Sequence, residues 1–237
     1  VVDSGVEQVF VTDTVNVADG VSLSDMEVAL EAERGMEFAD IDFDVAGSAS
    51  DIVANASDLS GASIVTVTDI AGASEGAVLN ALEVSLVGDD SQADVLFNVE
   101  DSASAVASEL AGDNAVLNNA ESLVVDGGDT DMVGASDIQG VTSYDSGASS
   151  YTISDTAGAV LAGTDTAIDA GVSAINVNGA VGAGVGVELG ALEDASFDTG
   201  FSSDVNFNVS DDASDIAAAL AGDNAVLNNA ESLVVDG

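Results

Sequence analysis

Aspartate recurs where extended segments of this sequence end: Asp13, Asp69, Asp101, Asp126, Asp155, Asp211 and Asp236. Carboxylates are almost the only reactive groups available. The chain holds 44 Asp and Glu, a single cation (Arg34), and no His, Cys or Lys. Thiol nucleophiles, Ser-His-Asp triads, lysine Schiff bases and the usual transition-metal sites are therefore impossible. What remains is oxygen chemistry: hydrogen-bond acceptance, acid–base work, and binding of hard cations such as calcium. The densest candidate is "DGGDTD", which supplies Asp126, Asp129 and Asp131 on a flexible glycine turn. "DIDFD" (Asp40, Asp42, Asp44) opens with the spacing of a calcium loop, but Val45 stands where such a loop needs glycine. Its alternation with Ile41 and Phe43 instead describes a strand with an acidic solvent face.

The strand-end aspartates admit two roles. As helix caps they would accept orphan backbone N–H groups. As calcium ligands, Asp69, Asp101, Asp155 and Asp211 would join Asp126, Asp129 and Asp131. A ladder of such acids needs helix N-termini, protons or bound cations, and the two roles can hold at different positions. Equivalent positions in stacked strands lie about 4.8 Å apart. Two carboxylates there repel by ~1 kcal/mol in water and ~3–4 kcal/mol at an effective dielectric of about 20. Glycosidase work by a carboxylate pair is the remaining chemistry. With 44 acids some pair always falls at a suitable distance, and the chain has no Trp to form a sugar platform. The expectation is a protein that is not an enzyme.

The elements that position these acids come from a repeat. "LAGDNAVLNNAESLVVDG" occurs twice, as Leu110–Gly127 and Leu220–Gly237. The match extends upstream: "VLFNVEDSASAVASELAGDNAV" from Val95 against "VNFNVSDDASDIAAALAGDNAV" from Val205. Weaker copies, "FDVAGSASDIV" from Phe43 and "YTISDTAGAVL" from Tyr151, fall between. The leading aromatics Phe43, Phe97, Tyr151 and Phe207 are spaced 54, 54 and 56 residues apart. Ile52, Val106, Val160 and Ile216 fill the last column of the shared pattern. Each unit reads as an aromatic strand, a short alanine-rich helix, a second strand such as "SLVVDG", and a looser stretch of about thirty residues. In "DSASAVASELAG", Asp101 or Ser102 caps the helix and Gly112 ends it.

Crossovers of this length imply parallel strands rather than hairpins. The expected fold is mainly β with short helices: a parallel β-solenoid of about 54-residue repeats, with the four aromatics stacked inside. Its repeats fall at 40–93, 94–147 and 148–203, with a partial one at 204–237. Residues 1–39 depart from the period as a diverged coil or an assembly extension. There "QVFVTDTVNV" places Val9, Val11, Val15 and Val17 on one face of an extended segment. "SDMEVALEAERG" reads as a helix opened by a Ser24-x-x-Glu27 capping box, with Arg34 in its last turn and Gly35 as its stop.

Composition narrows the partners. At 47% hydrophobic residues the chain has ample material for a core, yet its formal charge is −43. Such a surface repels nucleic acid and anionic membranes. It suits high salt or a divalent-rich exterior, where the charge is screened. Proline is absent, which favours unbroken strand pairing. The start at Val1, without Met or a signal sequence, is expected of a processed or excised piece.

The "ISDTAGAV" and "NVEDSASAV" segments resemble the V-x-D-T-A repeats of large, lysine-poor bacterial surface and secreted proteins. The resemblance covers Phe43–Gly237 and implies a place among S-layer, giant-adhesin, extracellular-matrix or filament proteins, many of them calcium-dependent. The glycine-rich nonapeptide repeats of that group are only faintly matched by "DGGDTD". The functional expectation is an extracellular or cell-surface structural subunit. It would self-assemble into a homopolymer through its sheet edges, with divalent cations and cell-surface polysaccharide as further partners. The alternative is the stalk or binding segment of a calcium-dependent adhesin, with "TSYDSGASSY" (Thr142–Tyr151) as a binding loop.

Overall fold

Apolar residues alternate in "VLFNV" and then recur at three- and four-residue spacing in "ASAVASEL", so strand gives way to helix within a few residues. The computed structural model repeats this alternation along the chain. It describes residues 8–34, 40–59, 61–89, 94–111, 113–198, 204–222 and 226–236. Among them are ten strands and eight α-helices, and the fold is mixed α/β with parallel strands. The chain divides into two compact units, residues 1–100 with 115–123, and residues 101–114 with 124–237.

In the first unit β1 (Gln8–Phe10) and β2 (Val15–Asn16) lie end to end along one side of β3 (Asp40–Gly47). Between β2 and β3 runs α1 (Val17–Arg34). Next come α2 (Ala49–Ala54), β4 (Ala62–Ala71), α3 (Ala73–Asp89) and β5 (Asp94–Asp101). The strands pair in the order β3-β4-β5, all parallel.

The second unit takes in α4 (Ala103–Leu110) and most of β6 (Ser122–Thr130). It continues through α5 (Met132–Gln139), β7 (Ser150–Asp155), α6 (Ala157–Ala167) and β8 (Val172–Val181). It closes with α7 (Ala183–Asp198), β9 (Asp204–Asp212), α8 (Ala213–Gly222) and β10 (Ser232–Asp236). The pairing order is β6-β7-β8-β9-β10, again parallel throughout.

Helices cover one face of each sheet. In β5, Val95, Phe97 and Val99 are buried while Asp94, Asn98 and Glu100 are exposed. α4 turns Ala103, Val106 and Leu110 inward at helical spacing. The repeat columns are core, as expected: Phe43, Phe97, Tyr151 and Phe207 are each at most 1% exposed, and Ile52, Val106, Val160 and Ile216 are buried beside them. Burial of each such side chain contributes roughly 1.5–3 kcal/mol. Gly76 in α3 and Gly186 in α7, 110 positions apart, let the helix backbone sit low on the sheet. A Cβ there would lie 2.7 Å from Val99 and 2.8 Å from Val209 respectively.

Three expectations need correction. The looser thirty residues of each repeat hold a helix of their own, and these helices, α3, α5 and α7, run 17, 8 and 16 residues. The fold is therefore α/β rather than mainly β with short helices. Each 54-residue period contains two strand–helix crossovers, so β3 and β4 of one period, like β7 and β8 of another, are direct sheet neighbours. Equivalent aromatics such as Phe43 and Phe97 then lie two strands apart, about 9–10 Å rather than 4.8 Å.

The N-terminal helix is the second correction. It starts at Val17, so Ser24 and Glu27 are mid-helix and form no capping box. Asn16 is the true cap, its Oδ1 accepting from the Asp19 N–H at 3.0 Å. Tertiary burial extends the helix backward: Val17 packs on Gly47, and Gly20 on Val45 and Phe43. Val17 thus leaves the extended segment expected for it, while Gly35 and Gly112 lie outside the described residues. Third, "DGGD" is a bulge inside β6 and not a turn. Gly127 and Gly128 take φ of +77° and +76°, and the register against β7 shifts between Asp126 and Asp129.

Candidate functional site

Every helix start needs acceptors for its first N–H groups, and this chain supplies acids and hydroxyls in quantity. Ser48, Ser102 and Thr156 accept from the N–H of Asp51, Ala105 and Ala159 at 3.2, 3.4 and 3.3 Å. Asp131 does the same for α5, accepting from the Gly134 N–H at 2.7 Å. These are ordinary local N-caps.

The strand-end aspartates do something further. Asp69 on β4 accepts from the N–H of Ala49, the first residue of the preceding helix α2, at 2.7 Å. Asp155 on β7 accepts from Met132, the first residue of α5, at 3.1 Å through Oδ2. Its Oδ1 takes the N–H of its own neighbour Thr156 at 2.6 Å. Asp211 on β9 repeats the arrangement: Oδ2 accepts from Ala183 at the start of α7 at 3.0 Å, and Oδ1 from Asp212 at 2.9 Å. One carboxylate thus joins two successive strand–helix crossovers, with a helix N-terminus on each side to offset its charge. Asp101 Oδ1 accepts from the Ser102 N–H at 2.8 Å.

Of the seven acids picked out by the sequence, Asp69, Asp101, Asp131, Asp155 and Asp211 accept backbone N–H groups at or beside helix starts. Asp126 and Asp129 are exposed on either side of the glycine bulge. Among the described residues, only Asp211 of the seven falls in a group whose carboxylates converge within 4.8 Å, together with Asp212 and Asp215. The signal for this group was the run "SDDASD" at the head of α8. Asp212 is held below the usual carboxylate range by the Ser214 hydroxyl first, then by the N–H groups of Asp215 and Ser214. Three carboxylates are a hard donor set of the type calcium takes. Both oxygens of Asp211 and Oδ1 of Asp212 already accept protein hydrogen bonds.

Two other polar clusters were not anticipated. On α3, Glu83 is pushed up to about 6, mainly by burial and then by the neighbouring charges of Asp94 and Glu121. The same three acids recur 110 positions on as Glu193, Asp204 and Glu231. In the second unit Tyr144 donates to Asp169 Oδ1 at 3.3 Å, and Gln139 donates to the buried Tyr151 hydroxyl at 3.4 Å. Burial raises both phenols well above their ordinary value, so they stay protonated. The expected "TSYDSGASSY" loop therefore contributes both tyrosines to an internal network.

No known protein family matches the chain, and no curated protein does either. Among the described residues no helix is long and apolar enough to cross a membrane.

Proposed function

We propose that this chain is a structural subunit of an extracellular filament, matrix or surface layer, self-assembling by β-edge pairing with cations screening its charge. A single observation carries the reading. "SLVVD" occurs as β6 and again as β10, and the two copies meet different surroundings. In β6, Leu123 and Val125 are fully buried; in β10, Leu233 and Val235 are 44% and 54% exposed. The same five residues are thus covered in one place and bare in the other. An exposed apolar strand is a template for a further strand, whether of a following segment or of a second copy. No Lys or Pro anywhere in the chain guards against such pairing.

The modular core supports a scaffold. Strand, helix and bridging aspartate recur within each unit, Asp69 in the first and Asp155 and Asp211 in the second, and a modular repeat of this kind suits a scaffold. The net charge of −43 opposes stacking of whole chains until salt or divalent cations screen it. Calcium is the cation proposed, with the acids of "SDDASD" as its first contact.

Electron microscopy in high salt, with calcium and then with chelator, tests the reading. Ordered polymers that loosen on chelation are the expected result. Polymers indifferent to chelation would retain the scaffold and remove calcium. Monomers in every condition would overturn self-assembly and favour the adhesin stalk.

A further inference from the structure

Asparagine followed by glycine is chemically fragile, because a glycine nitrogen reaches the asparagine side chain unhindered by a Cβ. Of the asparagines in this chain only Asn178 precedes glycine; the others precede Val, Ala, Phe or Asn. The fold puts this one pair where the reaction can run. Asn178 and Gly179 are both exposed on β8, within the second unit. They lie in a bulge. The ladder to β9 jumps from Asn176 opposite Asn206 to Ala180 opposite Asn208, and the ladder to β7 ends with Val177 opposite Asp155. Gly179 takes φ of +84°, and a Cβ placed there would meet nothing within 4 Å. Neither residue is clamped by a register partner among the described strands, and the backbone has room to turn.

We propose that Asn178 is a site of spontaneous covalent modification, converted with water to aspartate and isoaspartate. The backbone nitrogen of Gly179 gives up its proton and attacks Cγ of Asn178. An N–Cγ bond forms, the Cγ–Nδ2 bond breaks, and ammonia leaves with that proton, closing a cyclic imide. Water then opens the ring. Attack at Cγ breaks the new bond and leaves aspartate at position 178. Attack at the main-chain carbonyl carbon breaks the original peptide bond and leaves isoaspartate, with the chain rerouted through the side chain. Water is consumed and ammonia released, with no change of oxidation state.

The aspartate product has a counterpart elsewhere in the fold. Val125-Asp126-Gly127 of β6 matches Val177-Asn178-Gly179 of β8: the valine is buried, the next residue is exposed, and the glycine sits at a bulge with φ of +77°. The strand thus accommodates an acid at this place, and each converted chain gains one negative charge. Asp126–Gly127 is open to the same ring closure with loss of water, more slowly because an ionised carboxylate is the poorer electrophile. Asp19–Gly20 is not, since Gly20 is buried within α1 and the helix fixes its backbone.

The test uses the whole chain, aged in warm, mildly alkaline buffer in its native state and, in parallel, unfolded in urea. Samples are cleaved at acidic residues and read by fragmentation mass spectrometry. The native chain should exchange NH for O at position 178 before any other asparagine. The product should split into aspartate and isoaspartate forms, with ammonia released in step. Asn178→Gln keeps Gly179 and should lose both signals. Gly179→Ala should slow them, with circular dichroism checking its fold because alanine is strained at positive φ. An intact Asn178 in the native chain while the unfolded chain converts would overturn the proposal, since the bulge would then protect the pair. Conversion of Asn176 or Asn208 as fast as position 178 would also overturn it, as would undiminished ammonia release from Asn178→Gln.

Discussion

Replacing Asp155 by Ala removes the acceptor that joins α5 to α6. Two backbone N–H groups, those of Met132 and Thr156, lose their partner at once. Loss of an N-cap acceptor typically costs about 0.5–2 kcal/mol, and here two donors are orphaned at a half-buried position. The expected destabilisation is ~2 kcal/mol, or about 4–8 °C in Tm for a chain of this size. Asp155→Asn keeps one oxygen but turns an amide NH2 toward an N–H donor, and should fall about halfway. Any lost carboxylate also relieves repulsion in a chain of net charge −43, which works in the opposite direction. Asp126→Ala supplies that baseline, since Asp126 is exposed beside the glycine bulge. Urea unfolding followed by circular dichroism, at fixed high salt, measures all three. If D155A and D126A unfold at the same urea concentration, the carboxylate is not stitching the crossovers and the argument fails.

Other perturbations have defined outcomes. Glu83, raised from 4.5 to about 6, holds its proton more tightly in the native chain than in the unfolded one. Stability should therefore rise as pH falls from about 6 toward 4.5, and Glu83→Gln should stabilise above pH 6 with the gain vanishing below 4.5. Urea midpoints of both proteins across that range check it. Gly127→Ala meets nothing within 4 Å but must hold φ near +77°, so backbone strain alone should cost ~1 kcal/mol, with Gly127→Asn milder. Phe97→Ala, in the fully buried column, should cost about 3–5 kcal/mol by calorimetry or denaturant.

The sequence by itself determined what depends on local pattern. Alternating Val95, Phe97 and Val99 could only make a strand with one buried face, and Ser102 before "ASAVASEL" could only open a helix. The aromatic column followed from its spacing for the same reason. Helix capping by the strand-end acids was legible as a type of interaction, because an aspartate before a helical pattern has few other uses. Which helix each acid serves was not legible. Asp155 reaches Met132 across 23 residues, a distance only the parallel pairing of β6 and β7 closes. The start of α1 was hidden likewise, since Val17 and Gly20 turn helical where β3 offers them a surface and not where propensity calls for it. The clearest case is "SLVVD". Its sequence dictates a strand in both copies, yet Leu123 is buried and Leu233 is bare, because burial belongs to the neighbours a strand finds and not to the strand.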